Sequence, residues 1–177
     1  GRAIPAHVPQ RARLDGLKRP RARGMVYGPR MEIDKSQAIA IAAFARFDGD
    51  VTDPLLRGVS AAYCLIACAD GDLDDAELRE YVRLAESDAR FEKVDQSKLA
   101  QALRTFAEAL QTDLQVGRTR ALELVREVGK DAATRTLLLD AAKLAMQANA
   151  NVTRSEIGAL RDLCMALGVN PRDHLPD

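Results

Sequence analysis

From Ile33 to the C-terminus, apolar side chains recur every three or four residues, and no segment alternates between apolar and polar. This period collects the apolar residues on one side of an α-helix, whereas a β-strand would need a period of two. Seven segments show the helical period, over about residues 34–47, 53–69, 75–87, 96–111, 117–128, 132–148 and 154–167. The connections between them are short, so these helices can bury their apolar faces only against one another. The sequence therefore predicts an all-α protein, a compact bundle of about seven short helices.

Charge divides the chain into two parts, although its formal net charge is zero. Residues 1–30 hold eight of the 26 Lys and Arg but one of the 26 acids, and four of the seven prolines. We therefore expect residues 1–32 to be a disordered basic tail and residues 33–177 to be an acidic helical domain. The tail fits a flexible arm for anionic partners, an Arg-rich targeting sequence or an over-extended gene model. By itself it does not predict nucleic-acid binding.

The connection between the second and third predicted helices concentrates negative charge. Between positions 70 and 77 it holds five carboxylates: Asp70, Asp72, Asp74, Asp75 and Glu77. Acids just past a helix end face the negative pole of the helix dipole, so Asp70 and Asp72 need compensation. A divalent cation would supply it, since Ca²⁺ and Mg²⁺ prefer carboxylate oxygens. The loop is not an EF-hand, because Asp75 stands where glycine is required and Tyr81 where the bidentate glutamate is required.

This loop is repeated elsewhere in the chain. Residues 69–78 align with residues 148–157 at an offset of 79, and a weaker copy covers residues 47–54. In the later copy the counterparts of Asp70 and Asp72 are the neutral Asn149 and Asn151. The sequence therefore predicts an internal helix-loop-helix repeat whose loops do not have to be acidic.

Helix capping explains several of the acids without a ligand. Asp74 and Thr153 occupy N-cap positions, and Glu77 and Glu156 follow them at capping-box spacing. Two further pairs have hydrophobic-staple spacing, Leu73 with Leu78 and Val152 with Ile157. Asp75 is favoured in a first helical turn by the dipole. Two interpretations of the acidic loop stay open, a cation site and a solvated loop with capping roles alone.

The cysteines and histidines suggest no reaction centre. Cys64 and Cys68 lie four residues apart in an apolar helical run, and we interpret them, with Cys164, as buried apolar side chains. A thiol-based reductase or sensor acting on an oxyanion would need a low-pKa thiolate, and no Lys, Arg or His lies close in sequence. His7 and His174 occupy terminal segments. No nucleophile–base pair or phosphate loop appears, so we predict a non-enzymatic protein. The three cysteines and the lack of a secretory signal favour a reducing compartment.

Several short motifs occur in a specific order along the chain. They are Ala67–Gly71 with Glu77, Thr112–Gly117, Ala145–Glu156, Arg161–Leu163 and Ala166–Pro171. This ordered set resembles the tellurite-resistance TerB family over about residues 60–174. The family has a compact seven-helix fold and occurs in bacterial tellurite and stress-response systems.

The resemblance implies a cytoplasmic, non-enzymatic acidic module that holds a divalent cation, Ca²⁺ or Mg²⁺. The residues that match the family's ligands are Asp70, Asp72, Asp74 and Glu77, with Asp113 and Glu156 as weaker candidates. It also implies association with other tellurite-resistance proteins, including a membrane-integral partner that would bring the protein to the inner membrane. Neither nucleic-acid binding nor membrane insertion is expected.

One departure from the family pattern bears on the site. Where the family often has a second acidic loop, this chain has Asn149, Asn151 and the cationic Arg154. A second metal site is therefore not predicted. Two alternatives stay open, a metal-independent helical adaptor and a thiol-based oxyanion reductase or sensor using Cys64 and Cys68.

Overall fold

Seven α-helices make up nearly all of the described chain, and no strand occurs within it. The computed structural model describes residues 34–70, 73, 75–148 and 152–176. The predicted basic tail, residues 1–32, lies outside the described residues. The helices are α1 Lys35–Asp50, α2 Pro54–Ala67, α3 Asp75–Ser87, α4 Gln96–Thr112, α5 Leu114–Val128, α6 Ala132–Ala148 and α7 Arg154–Leu167, with short 3₁₀ helices at Ala89–Phe91 and Pro171–Asp173. The predicted all-α class is confirmed.

The predicted helix boundaries agree with the structure to within two residues, except at the end of α1 and the start of α5, which each lie three residues beyond the predicted limit. Helices α3, α6 and α7 begin and end at the predicted residues. Helix α5 begins at Leu114, three residues before the predicted start, because the Asp113 carboxylate accepts hydrogen bonds from the N–H groups of Gln115 and Val116, both at 3.0 Å. A single aspartate therefore both ends α4 and starts α5.

Helix α2 is the centre of the bundle. It packs against α4, α5, α6 and α7, and 11 of its 14 residues are buried. A helix surrounded on every side needs apolar residues all round, which explains why its sequence lacks a polar face. Helix α1 packs on α4 and α5, and α3 packs on α4 and α6. None of the described helices has both the length and the apolar character needed to cross a membrane.

Aromatic contacts join the outer helices to the centre. Phe44 and Phe47 of α1 meet Phe106 of α4 edge-on, with ring centroids 5.2 and 5.0 Å apart. Tyr63 of α2 stacks on Tyr81 of α3 with centroids 3.7 Å apart. The stacked pair brings α3 into contact with α2.

Candidate functional site

The acidic loop leaves α2 through a tight turn. Cys68 N–H donates to the Cys64 carbonyl at 3.0 Å, and Ala69 N–H donates to the Ile66 carbonyl at 2.9 Å. Asp70 follows this turn with an exposed side chain, which makes no hydrogen bond or ion pair with another described residue. Its negative charge therefore lies just past the carbonyl end of α2, and no described cation balances it.

The acids on the α3 side of the loop have partners. Asp75 Oδ1 lies 3.4 Å from Arg104 Nη2 of α4, and the two side chains are 72% and 48% exposed. An ion pair this exposed contributes little free energy. Glu77 is half-buried in the first turn of α3 and interacts with its surroundings. Among the described acids of the loop, Asp70 is the one without a partner.

Two of the four principal candidates, Asp72 and Asp74, lie outside the described residues, as does the predicted N-cap role of Asp74. Within the residues that are described, no three His, Cys, Asp or Glu side chains come together as a group that could hold a metal ion. A cation at this loop would therefore need Asp72 or Asp74 in addition to Asp70.

Asp113, a weaker candidate, is the N-cap of α5. Its Oδ1 accepts the two hydrogen bonds that start the helix, and Ser36 Oγ of α1 lies 3.4 Å from its Oδ2. Arg104, the partner of Asp75, lies nine residues before Asp113. Asp113 therefore lies roughly 13 Å from Arg104 along the axis of α4. Asp113 therefore caps α5, and it lies away from the acidic loop at the start of α3.

Glu156, the other weaker candidate, is fully buried at the start of α7. Its Oε2 accepts from the Thr153 N–H at 2.7 Å, and its own N–H donates to Thr153 Oγ1 at 3.1 Å, so the predicted capping box is confirmed. Val152, the first residue of the predicted staple, is 44% exposed, and its contact with Ile157 stays a prediction. The neighbouring residues 149–151 lie outside the described chain.

The cysteines are buried, as predicted. Cys64 Sγ lies 3.5 Å from the Leu103 carbonyl oxygen, to which it donates. Burial, and then the neighbouring Cys68 thiol, raise the pKa of Cys64 well above its ordinary value. Burial also raises the pKa of Cys164. These environments are the opposite of what a reactive thiolate requires.

A surface feature that the sequence reasoning missed lies between α1 and α5. A groove of about 480 Å³ runs between these helices, with Ile41, Phe44 and Val116 among its lining residues. Ile41 is 51% exposed at the edge of this groove. The sequence signal was available, because residues 36–45 contain no charged side chain, so this part of α1 cannot present a charged face to solvent.

Comparisons of the chain with protein-family models, with curated proteins and with solved structures find no match. The resemblance to the TerB family therefore stays an expectation from the sequence.

Proposed function

We propose that this protein is a non-enzymatic helical module that binds one divalent cation, Ca²⁺ or Mg²⁺, at the loop between α2 and α3. Asp70, Asp72, Asp74 and Glu77 would supply the ligands. The bound cation would set the surface that the module presents to partner proteins in a TerB-like stress response. The single observation that carries the proposal is the exposed carboxylate of Asp70, which has no described partner and follows the carbonyl end of α2.

The physical argument is one of charge balance. The last carbonyl groups of α2 carry partial negative charge, and Asp70 adds a full charge beside them. A hard divalent cation removes this repulsion because it takes oxygen ligands from carboxylates and backbone carbonyls alike. The later copy of the loop has Asn149 and Asn151 in the equivalent positions, so the proposal is for one site rather than two.

Calorimetric titration tests the proposal directly. We expect Ca²⁺ or Mg²⁺ titrated into the wild type to release or absorb heat with one-to-one stoichiometry. In the Asp70→Asn/Asp72→Asn variant this heat should disappear, because an amide oxygen does not carry the charge that attracts a hard cation. Zn²⁺ should bind more weakly, because the loop has neither thiolate nor imidazole ligands.

A matched variant controls for lost charge alone. Glu86→Gln/Glu92→Gln removes two exposed carboxylates elsewhere and should bind the cation as the wild type does. If the Asp70→Asn/Asp72→Asn variant still binds the cation, the proposed ligand set is wrong. If the wild type binds no cation, the metal-independent adaptor becomes the better proposal.

The adaptor alternative has its own support. Asp113 and Glu156 already serve as helix caps, and Asp75 has an ionic partner in Arg104. If Asp72 and Asp74 have similar local roles, the loop needs no ligand. The thiol alternative has no comparable support, because Cys64 of α2 and Cys68 just past its end are both buried.

A further inference from the structure

The outward face of α1 is apolar although solvent covers it. Ala38, Ala42, Ala45 and Gly49 follow one another at three- and four-residue spacing along this face, with Ile41 at its edge, and all five are exposed. Together they form what we call the outer stripe of α1. The opposite side of the helix already packs into the core through Ala40, Phe44 and Phe47. Helix α1 is therefore apolar on two sides while only one of them is covered.

Larger apolar side chains lie within and beside the outer stripe. Ile39 lies on one flank and is 48% exposed, and Ile41 rises beside the groove between α1 and α5. Leu114, at the start of α5, is 54% exposed. It lies near the start of α1, since its neighbour Asp113 contacts Ser36. Exposed apolar side chains grouped along one helix face in this way mark an interaction surface.

We propose that the outer stripe of α1 binds the same stripe of a second copy of this chain, with the two α1 helices antiparallel around a twofold axis near Ala42. This proposal is independent of the cation site. Alanine at the crossing point allows two helix axes to approach to about 8 Å, the short end of the usual packing range. A twofold interface must be self-complementary, and three features of α1 meet this requirement.

The first feature is charge. Lys35 and Asp50 lie at opposite ends of α1, both are exposed, and neither has an ionic partner among the described residues. In antiparallel pairing about Ala42, Lys35 lies opposite Gly49 of the second copy and therefore one residue from its Asp50. A helical wheel puts Lys35 and Asp50 on the same flank of α1, and the twofold axis keeps that flank on the same side in both copies. Two symmetric ion pairs result.

The second feature is apolar contact on both flanks of the crossing. Ile41 of each copy lies near the axis, so the two isoleucines meet over the groove. On the other flank, Ile39 lies opposite Ala45 of the second copy and one residue from its Arg46, whose aliphatic stem can cover it. Both contacts occur twice because of the symmetry.

The third feature is that the acids that approach each other across the interface are already compensated. Asp48 of one copy comes close to Asp34 of the other. Asp48 is already neutralised by Arg57 and Arg120, and Asp34 is directed into its own helix, where its carboxylate accepts from the Ser36 and Gln37 N–H groups. The repulsion between these two acids is therefore small.

Sedimentation velocity of the full chain over a wide concentration range tests the proposal. The wild type should show a reversible monomer–dimer equilibrium. Ile41→Glu should raise the dissociation constant by more than about tenfold, because it buries an unpaired carboxylate at the axis. Met165→Glu is the matched control, since Met165 of α7 is also exposed and apolar, at 58%, and the dimer should be unaffected. Far-ultraviolet circular dichroism should give the wild-type helix content for both variants.

A charge exchange tests the antiparallel arrangement. Lys35→Glu and Asp50→Lys should each weaken the dimer, and the double variant should recover wild-type affinity. Both changes suit their positions in the helix dipole, so the fold should tolerate them. A wild type that stays monomeric at every concentration overturns the proposal, as does a dimer that Ile41→Glu leaves intact. Failure of the double variant to recover affinity overturns the antiparallel pairing.

Discussion

Oxygen atoms of single side chains start most of the described helices. Asp34, Asp53 and Asp113 accept backbone N–H groups at the starts of α1, α2 and α5. Thr153 does the same for α7 with a hydroxyl. Much of the acidity of this domain is therefore used locally, to satisfy N–H groups that have no partner within their helix. Asp70 differs from these acids because its carboxylate accepts no hydrogen bond from another described residue.

The capping box of α7 can be tested with one substitution. Thr153→Ala should lower the free energy of unfolding by about 1–2 kcal/mol, because the N–H of buried Glu156 loses its acceptor. Thr153→Ser keeps the hydroxyl and should cost much less. Chemical denaturation of the two variants and the wild type measures the difference. Equal stability of Thr153→Ala and the wild type would contradict the capping role.

At the scale of elements, the junction of α4 and α5 depends on a glycine. The two helices are separated by Asp113 alone, so the first turn of α5 lies against the last turns of α4. A Cβ atom on Gly117 would lie 2.7 Å from both Cα and Cγ of Leu110. The close approach involves backbone, which cannot move aside as the end of a flexible side chain can. The sharp turn between these helices therefore requires glycine at position 117.

Gly117→Ala should destabilise the protein by about 1–3 kcal/mol, since overpacking outweighs the better helix propensity of alanine. Gly158→Ala is the control, because nothing lies within 4 Å of a Cβ there. That variant should gain roughly 0.5–1 kcal/mol from helix propensity. Thermal unfolding of both variants compares them directly. A Gly117→Ala protein as stable as Gly158→Ala would show that the junction relaxes freely.

At the scale of the whole molecule, one carboxylate connects three helices. Asp48 of α1 forms ion pairs with Arg57 of α2 and with Arg120 of α5, the latter at 2.7 Å. Arg120 also reaches Glu123 at 3.3 Å and Glu127 at 3.7 Å on its own helix. Arg57 and Arg120 are only 23% and 22% exposed, so their charges are partly desolvated. This network holds the C-terminal part of α1 against the central helix.

Asp48→Asn should lower the free energy of unfolding by roughly 1–3 kcal/mol, between the values typical of exposed and of buried ion pairs. The cost arises because two half-buried guanidinium groups lose their shared counter-charge. Glu80→Gln removes an exposed pair with Arg83 and should leave stability unchanged. Urea denaturation is the suitable measurement, because guanidinium salts would screen the pair. An Asp48→Asn protein as stable as Glu80→Gln would contradict this role.

The sequence alone was sufficient to predict features that depend on residues close together in the chain. The apolar period identified all seven helices, and the Thr153–Glu156 spacing predicted a capping box that exists, because both depend on residues within a turn or two of one another. The same local reasoning isolated Asp70 as an acid without a capping role. Local patterns did not predict the early start of α5, because Asp113 directly follows a helical segment and so does not stand out as an N-cap.

The remaining features required the tertiary structure, because they depend on residues far apart in the chain. Asp48 and Arg120 are separated by 72 residues, and no local pattern pairs them. The exposure of Val152, 44%, likewise depends on how the helices pack and not on its spacing from Ile157. The composition of α1 is apolar on two sides. Only its packing on α4 and α5 shows which of these sides is covered. Periodicity determines which residues share a face of a helix, whereas the packing of distant segments determines which face is buried.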